Sequence, residues 1–375
     1  MINVLRLITW LPVGGIEQKL VAILPMIQAS GKYRVRICCL REAGPLAPEL
    51  EKAGVPVTVI PFQRRWDLKA LGRLKALIVE QRIDVVHSHM YRSNVPGTVA
   101  GRRAGAAVVI AQIHNVDTWD TWRQLWMDRF LMRWRDAVVC VSEAVRRDVC
   151  KRIWAPKDKT RVIYNGVDVA RFSSPDREAR PRLRAEWGLP EGAVAGLMLA
   201  RLHPQKNPLG LLEAFERAAA AAPMLRLIYA GDGPQREELE REIRRRGLEA
   251  RARLIGMRMD VPDVLSACDF CVLPSLKEGF SNTVLEAMAA GRPVLCSNVG
   301  GNAEVITHGQ CGYIVEPGDP VDLARALERF GPDAALRQAL TEAGRARVQR
   351  FSLDQMARDT MDLYEELLMQ AIYAH

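Results

Sequence analysis

Two consecutive series of short apolar runs, each run followed by a longer stretch of helical character, leave this chain few folds to choose from. In the first series the runs occupy residues 4–10, 35–40, 83–89, 108–114 and 137–142, with a helical pattern at 15–29. In the second they occupy 194–202, 225–231, 253–256, 270–274 and 294–296, with an alanine-rich helix expected over 209–222 and stopped at Pro223. The runs are continuously apolar, the pattern of strands covered on both faces by crossover helices. The expected fold class is therefore α/β, with two Rossmann-like domains whose parallel sheets face a central cleft. A chain of 375 residues has room for two such domains and not three. The turn Asn165-Gly166-Val167-Asp168 sets the boundary, giving a first domain over 1–165 and a second over 166–353; residues 173–184, polar and proline-containing, read as irregular connection. The end of the chain reads as helical, with a final helix over about 354–375.

Lys and Arg number 53 against 44 Asp and Glu, a formal charge of +9 that favours anionic partners. Nucleic acid is not expected among them, because no RNA-module or helix-turn-helix signature accompanies the charge. No apolar run approaches the roughly 18–20 residues that cross a bilayer. Residues 1–15 read as a buried strand and loop, not a signal peptide. The eight cysteines are scattered, which suits buried thiols in a reducing compartment, and Cys268 and Cys271 have no second pair at zinc spacing. A cytoplasmic location is the expectation.

Open parallel sheets bind ligands outside the carboxyl ends of their strands, and the unusual residues fall in those loops. Gly14-Gly15 follows the first strand and lets backbone approach an anion at a helix N-terminus, although no G-x-G-x-x-G is present. Arg201 and Lys206 follow the first strand of the second series and can reach one diphosphate, each charge-assisted bond contributing about 1.5–3 kcal/mol. After the run 270–274 comes Glu278, then Gly279, Phe280, Ser281, Asn282 and Thr283, which open a helix with backbone N–H groups toward the cleft. Glu286 lies inside that helix among Val284, Leu285, Ala287 and Met288, where simple surface solvation explains it poorly. A ribose diol suits the helical carboxylate and a sugar hydroxyl suits Glu278.

Together, Glu278-x7-Glu286, the Arg201 and Lys206 pair and the Gly14-Gly15 loop resemble the retaining glycosyltransferase family 4 (group 1), of GT-B fold, over almost the whole chain. The resemblance implies a nucleotide-sugar donor, most often a UDP-sugar, held mainly by the second domain, and an acceptor on the first. It implies that the final helix packs back on the first domain. By position, Arg201 and Lys206 would neutralise the departing diphosphate and Glu286 would bind the ribose. Glu278 would touch the donor sugar near its reacting carbon, the Phe280–Thr283 backbone would cap the distal phosphate with Gly279 also in the donor site, and Gly15 would approach the same phosphates. No Asp-x-Asp follows a strand, so neither a metal nor any other cofactor is expected; cations and helix N-termini would carry that charge.

His114 ends the run 108–114, and the resemblance gives a histidine there a role beside Glu278 in catalysis, bonding the donor sugar and orienting the acceptor. His87 and His89, ending the neighbouring run, are weaker candidates, while His203 and His308 read as structural. Trp119, Trp122, Trp126, Phe130 and Trp134 recur at helical spacing with Arg123 and Arg133 on the same arc. Tryptophan with arginine on one face suits a lipid headgroup boundary, so peripheral contact with an anionic membrane, where a lipid-linked acceptor would lie, joins the expectation. The expected function is sugar transfer to a saccharide or lipid-linked acceptor in envelope or exopolysaccharide synthesis. The alternatives are a sugar-nucleotide epimerase of similar fold and a non-catalytic nucleotide-sugar-binding protein.

Overall fold

Among the described residues thirteen strands form, most of them where continuous β-branched and apolar residues occur, and they assemble into two parallel sheets. The computed structural model describes residues 1–64, 67–116 and 121–373. The first sheet contains β1 (Ile2–Ile8), β2 (Tyr33–Cys39), β3 (Val57–Val59), β4 (Val85–His89), β5 (Val108–Ile113), β6 (Ala137–Cys140) and β7 (Thr160–Val162), in the order β3-β2-β1-β4-β5-β6-β7. The second contains β8 (Val194–Leu199), β9 (Leu225–Ala230), β10 (Ala252–Gly256), β11 (Phe270–Leu273), β12 (Val294–Ser297) and β13 (Tyr313–Val315), in the order β10-β9-β8-β11-β12-β13. Every strand pairing is parallel, and both orders are those of Rossmann-like domains.

The chain separates into two units. One comprises Met1–Gly166 and the last helix, Leu353–Tyr373; the other is Val167–Ser352. In the first, strand alternation sends Val4, Ile8, Val35 and Ile37 to one face, where helix Gly15–Ala29 and the last helix cover them with Ile23, Leu24, Leu363 and Leu367. Leu5, Leu7, Val86 and Val109 go to the other face, under helix Leu68–Glu80 with its buried Leu74 and Ile78. The last helix is also held by Lys32–Glu365 (2.8 Å) and Arg161–Glu366 (2.6 Å). In the second unit Phe215, Tyr229, Leu239, Phe270 and Phe330 fill the space between sheet and helices.

Three local expectations need correction. The helix expected over 209–222 is Pro208–Ala218, and Ala222 instead packs in the core as the chain turns toward β9. Residues 173–184 are only partly irregular: helix Ala179–Glu186 forms because Ala179 and Leu183 are buried while Arg180 and Arg184 hold Asp269 at 2.7 and 3.2 Å. The edge strands β3, β7 and β13, three residues each, carry no run long enough to have been expected. All eight cysteines are free thiols; burial pushes Cys38, Cys39, Cys271 and Cys296 up to about 12.

Candidate active site

The order of the second sheet reverses between β8 and β11, hydrogen-bonded neighbours whose carboxyl ends form the switch point where open α/β sheets bind ligands. The loops leaving these two strands are tied together: Leu276 N–H donates to the Gln205 carbonyl at 2.8 Å, and Gln205 Nε2 to the Lys277 carbonyl at 2.9 Å. That union brings Lys206 Nζ to 2.5 Å from Glu278 Oε1, which also accepts from Ser275 Oγ at 2.7 Å. Glu278 is buried and Lys206 partly so. Arg201, two residues past the end of β8, is exposed at the same edge and has no carboxylate partner among the described residues.

Helix Asn282–Ala289 starts directly after this loop, with Ser281 at its N-cap making no side-chain cap bond. Thr283 Oγ1 donates to the Leu199 carbonyl at 3.1 Å and seats the first turn on the end of β8. The positive end of the helix dipole therefore points to the edge that carries Arg201 and Lys206. Glu286 lies one turn inside, half-buried, and the buried Phe280 ring packs 5.8 Å from Phe351 and anchors the loop. Two glycines permit this crowding. A Cβ on Gly231 would lie 1.9 Å from the Ala200 carbonyl oxygen, and one on Gly300 (φ 53°) would lie 2.1 Å from that of Glu278.

In the first unit the strand order reverses between β1 and β4. Arg6 of β1 is 1% exposed and carries no carboxylate partner among the described residues. Its Nε donates to His89 Nε2 at 3.0 Å, one terminal nitrogen lies 3.0 Å from His87 Nδ1, and the same nitrogen donates to the Tyr364 hydroxyl of the last helix. His89 Nδ1 is 3.0 Å from His114 Nε2. Arginine can only donate, so His89 accepts on Nε2 and holds its own proton on Nδ1 for His114. His114 accepts on Nε2 and is left with its proton on Nδ1, an atom buried without a partner among the described residues. The rings are neutral: burial, then the charge of Arg6, pushes His87 and His89 well down and His114 down to about 3.

The structure thus brings Lys206, Glu278, Ser275 and the start of helix Asn282–Ala289 to one edge, and His87, His89 and His114 to another in a different unit. Gly15 opens helix Gly15–Ala29 behind an N-cap glycine that makes no side-chain bond, and is exposed. His203 accepts from Gln205 N–H at 3.2 Å, and His308 Nδ1 accepts from Ile314 N–H at 3.1 Å, both local structural bonds. Sequence reasoning missed Ser275, Arg6 and Tyr364. A charged residue inside a strand covered on both faces was the available signal for Arg6; Tyr364, 358 positions away, offered none. Among the described residues, no group of three or more His, Cys, Asp or Glu could hold a metal ion.

Residues 179–347 match the family Glycosyl transferases group 1, and residues 13–171 match Glycosyltransferase Family 4. This chain belongs to that glycosyltransferase family. A relative from Escherichia coli, UDP-Gal:alpha-D-GlcNAc-diphosphoundecaprenol alpha-1,3-galactosyltransferase, is 27% identical over 351 residues, 90% of each chain. The putative glycosyltransferase EpsD of Bacillus subtilis (strain 168) is 26% identical and covers 84% of each. Among solved structures, Anabaena Alr3699/HepE in complex with UDP superposes with a TM-score of 0.87 at 23% identity, covering 98% of this chain and 100% of that one. The fold of the glycosyltransferase is thereby the GT-B pair of Rossmann-like domains.

Proposed function

We propose that this glycosyltransferase moves a sugar, with retention of anomeric configuration, from a UDP-sugar to a saccharide or lipid-linked acceptor in envelope or exopolysaccharide synthesis. The observation that carries the reading is the 2.5 Å Lys206–Glu278 pair beside Arg201 at the β8–β11 switch point. When a diphosphate enters, Lys206 turns from Glu278 to the phosphate, and Arg201 and the N-terminus of helix Asn282–Ala289 share its charge. Glu278, still held by Ser275, is then available to a hydroxyl of the donor sugar, and Glu286 takes the ribose. The bond between C1 and the diphosphate oxygen breaks, and the acceptor hydroxyl oxygen bonds to C1 on the same face. Its proton passes to the departing diphosphate oxygen. His114 donates from Nδ1 to the sugar, and Gly15 lets the first unit's loop approach the phosphates. No metal ion takes part in this scheme, so EDTA leaves the rate unchanged. UDP is favoured because one relative's name includes UDP-Gal and one similar structure holds UDP.

Attachment to the cytoplasmic face of a membrane is supported by an exposed aromatic patch. Helix Trp122–Leu131 begins at a Thr121–Gln124 capping box, so Trp122 opens it, while Trp119 lies outside the described residues. Trp122, Trp126 and Trp154 are 67%, 53% and 63% exposed. The Arg129 guanidinium lies 3.6 Å from the Trp154 ring and 4.8 Å from that of Trp126, and Arg133 lies 3.9 Å from Phe130. Trp134, half-buried, packs on Phe130 instead of extending the patch. No helix among the described residues is long and apolar enough to cross a membrane.

The test is transfer from UDP-sugars to prenyl-diphosphate-linked and free saccharide acceptors, with product anomers assigned by NMR. Glu278→Gln is expected to lose nearly all activity; undiminished transfer by that variant would reject the site. For the membrane patch, Trp126→Ala with Arg133→Ala is expected to release the protein from anionic vesicles, and unchanged vesicle binding removes that part of the reading.

A further inference from the structure

The first unit carries a second feature at the carboxyl edge of its sheet, a cavity of about 430 Å³ that neither Arg6 nor any of the three clustered histidines lines. Its cations come from three separate elements: Arg41 follows β2, Arg64 follows β3, and Arg92 lies in the first turn of helix Met90–Ala104 after β4. Thr9 after β1, Gln63 and Gln124 add neutral polar groups, and among the described residues no carboxylate lines the space. Arg41 leans on its neighbour Glu42 at 3.3 Å, an exposed pair of little strength. Neither Arg64 nor Arg92 has a carboxylate partner among the described residues. Three guanidiniums gathered around one hollow repel one another, and an anion with several oxygens relieves that repulsion.

The same walls continue into an apolar cleft. Phe62, Val95 and Pro96 line both spaces, and Leu68, Leu71 and Val99 extend the second. Leu68 is 73% exposed there, an apolar side chain left largely uncovered by the described residues. The one carboxylate among the described residues of the cleft, Asp67, is engaged locally: it accepts from Ala70 N–H at 2.9 Å and Gln63 N–H at 3.2 Å, and those bonds hold it below the usual carboxylate range. A cationic chamber opening into an apolar cleft matches a molecule that is anionic at one point and hydrocarbon beside it.

We propose that Arg41, Arg64 and Arg92 bind the phosphate or diphosphate of a lipid-linked acceptor, with the first carbons of its chain against Phe62, Leu68 and Leu71. The proposal rests on the reading of the chain as a transferase whose first unit takes the acceptor, and it narrows the acceptor to one with a phosphate between sugar and lipid. Guanidinium groups would fix the phosphate bidentately, and the apolar cleft would set the direction in which the chain leaves.

Binding of geranyl diphosphate and of inorganic pyrophosphate to the full-length protein is measured by calorimetry with UDP present at saturation, so that the donor site is filled. Geranyl diphosphate is expected to bind, and pyrophosphate about tenfold more weakly. Arg64→Gln with Arg92→Gln is expected to weaken both by about a hundredfold, roughly tenfold for each lost charge-assisted contact, while UDP affinity stays the same. Leu68→Ser is expected to bring geranyl diphosphate down toward pyrophosphate. Equal affinity of the two probes together with an inert Leu68→Ser would overturn the lipid assignment and leave the cavity to a water-soluble phosphate ester. Unchanged binding in the double arginine variant, with UDP bound normally, overturns the proposal alone. Failure of UDP itself to bind removes the transferase reading beneath it.

Discussion

Both sheets place charge at the point where strand order reverses, but they solve the cost of burying it in opposite ways. In the second unit a cation meets an anion: Lys206 and Glu278 pair at 2.5 Å, at an edge where Arg201 remains exposed. In the first a cation meets only neutral groups: Arg6 is spread over two imidazoles and a phenol. An ion pair can be exchanged for a ligand, because each partner is released with a charge to offer. A buried arginine among neutral imidazoles has nothing to exchange; its effect is to dictate which nitrogen of each ring carries the proton. One arrangement is suited to receiving a charged leaving group and the other to holding a neutral donor still.

The sharpest way to break this contrast is to unpair the second unit. Lys206→Ala leaves the buried Glu278 carboxylate with Ser275 as its remaining hydrogen-bond donor, and about 3 kcal/mol of stability is expected to go with it. Glu278→Gln costs less, since an amide still accepts from Ser275. Each substitution is expected to lower kcat by about 10²–10³-fold, the loss typical of a transition-state charge stabiliser. A double-mutant cycle by urea unfolding is expected to give a coupling of about 1–3 kcal/mol; additive effects would mean that the pair is only an incidental neighbour.

The histidine cluster of the first unit should respond to acid. His87, His89 and His114 are held neutral with folded pKa values below the ordinary 6.5, so the unfolded chain binds more protons as pH falls through that value. Stability is then fully present above about pH 6.5 and is lost on acidification toward the folded values. Between pH 7.5 and 5.5 each histidine contributes about 1.4 kcal/mol of loss, roughly 4 for the three. Urea unfolding at the two pH values checks this. Arg6→Met removes one of the causes that keep the rings neutral and leaves burial, the largest, so the pH-dependent loss is expected to shrink without vanishing. The same variant frees the tautomers of His89 and His114, and transfer is expected to fall about tenfold.

The two sites differ in how far the sequence revealed them. Arg201, Lys206, Glu278 and Glu286 stand in loops and a helix turn contiguous with their strands, so their place at the sheet edge could be read along the chain. Arg6 and His89 stand on two strands and His114 directly after a third, and their partnership exists only because β4 lies between β1 and β5 in the sheet. Residue pattern reports periodicity within an element and is silent on which neighbour a strand acquires. For the same reason the central strands were legible and the edge strands were not. β1 and β8 are long and apolar, whereas β3 and β13 owe their three residues to pairing with strands already in place. Helix Ala179–Glu186 was hidden because its polar surface is bound to Asp269, a partner some ninety positions along.

The smallest expected effect separates the cluster's support from its output. The Tyr364 hydroxyl lies 2.9 Å from His87 Nδ1 and accepts from Arg6, so Tyr364→Phe deletes one hydrogen-bonding group from a buried network. About 1 kcal/mol of stability is expected to be lost. The Arg6 Nε bond to His89 remains, and with it the order of protons through His89 to His114. Transfer rate is therefore expected to hold within about twofold, because the network is cut on the side away from His114. A large loss of activity in Tyr364→Phe, with folding near normal, would show that the last helix governs the histidines directly, and the division between an exchanging site and a fixed one would have to be redrawn around that helix.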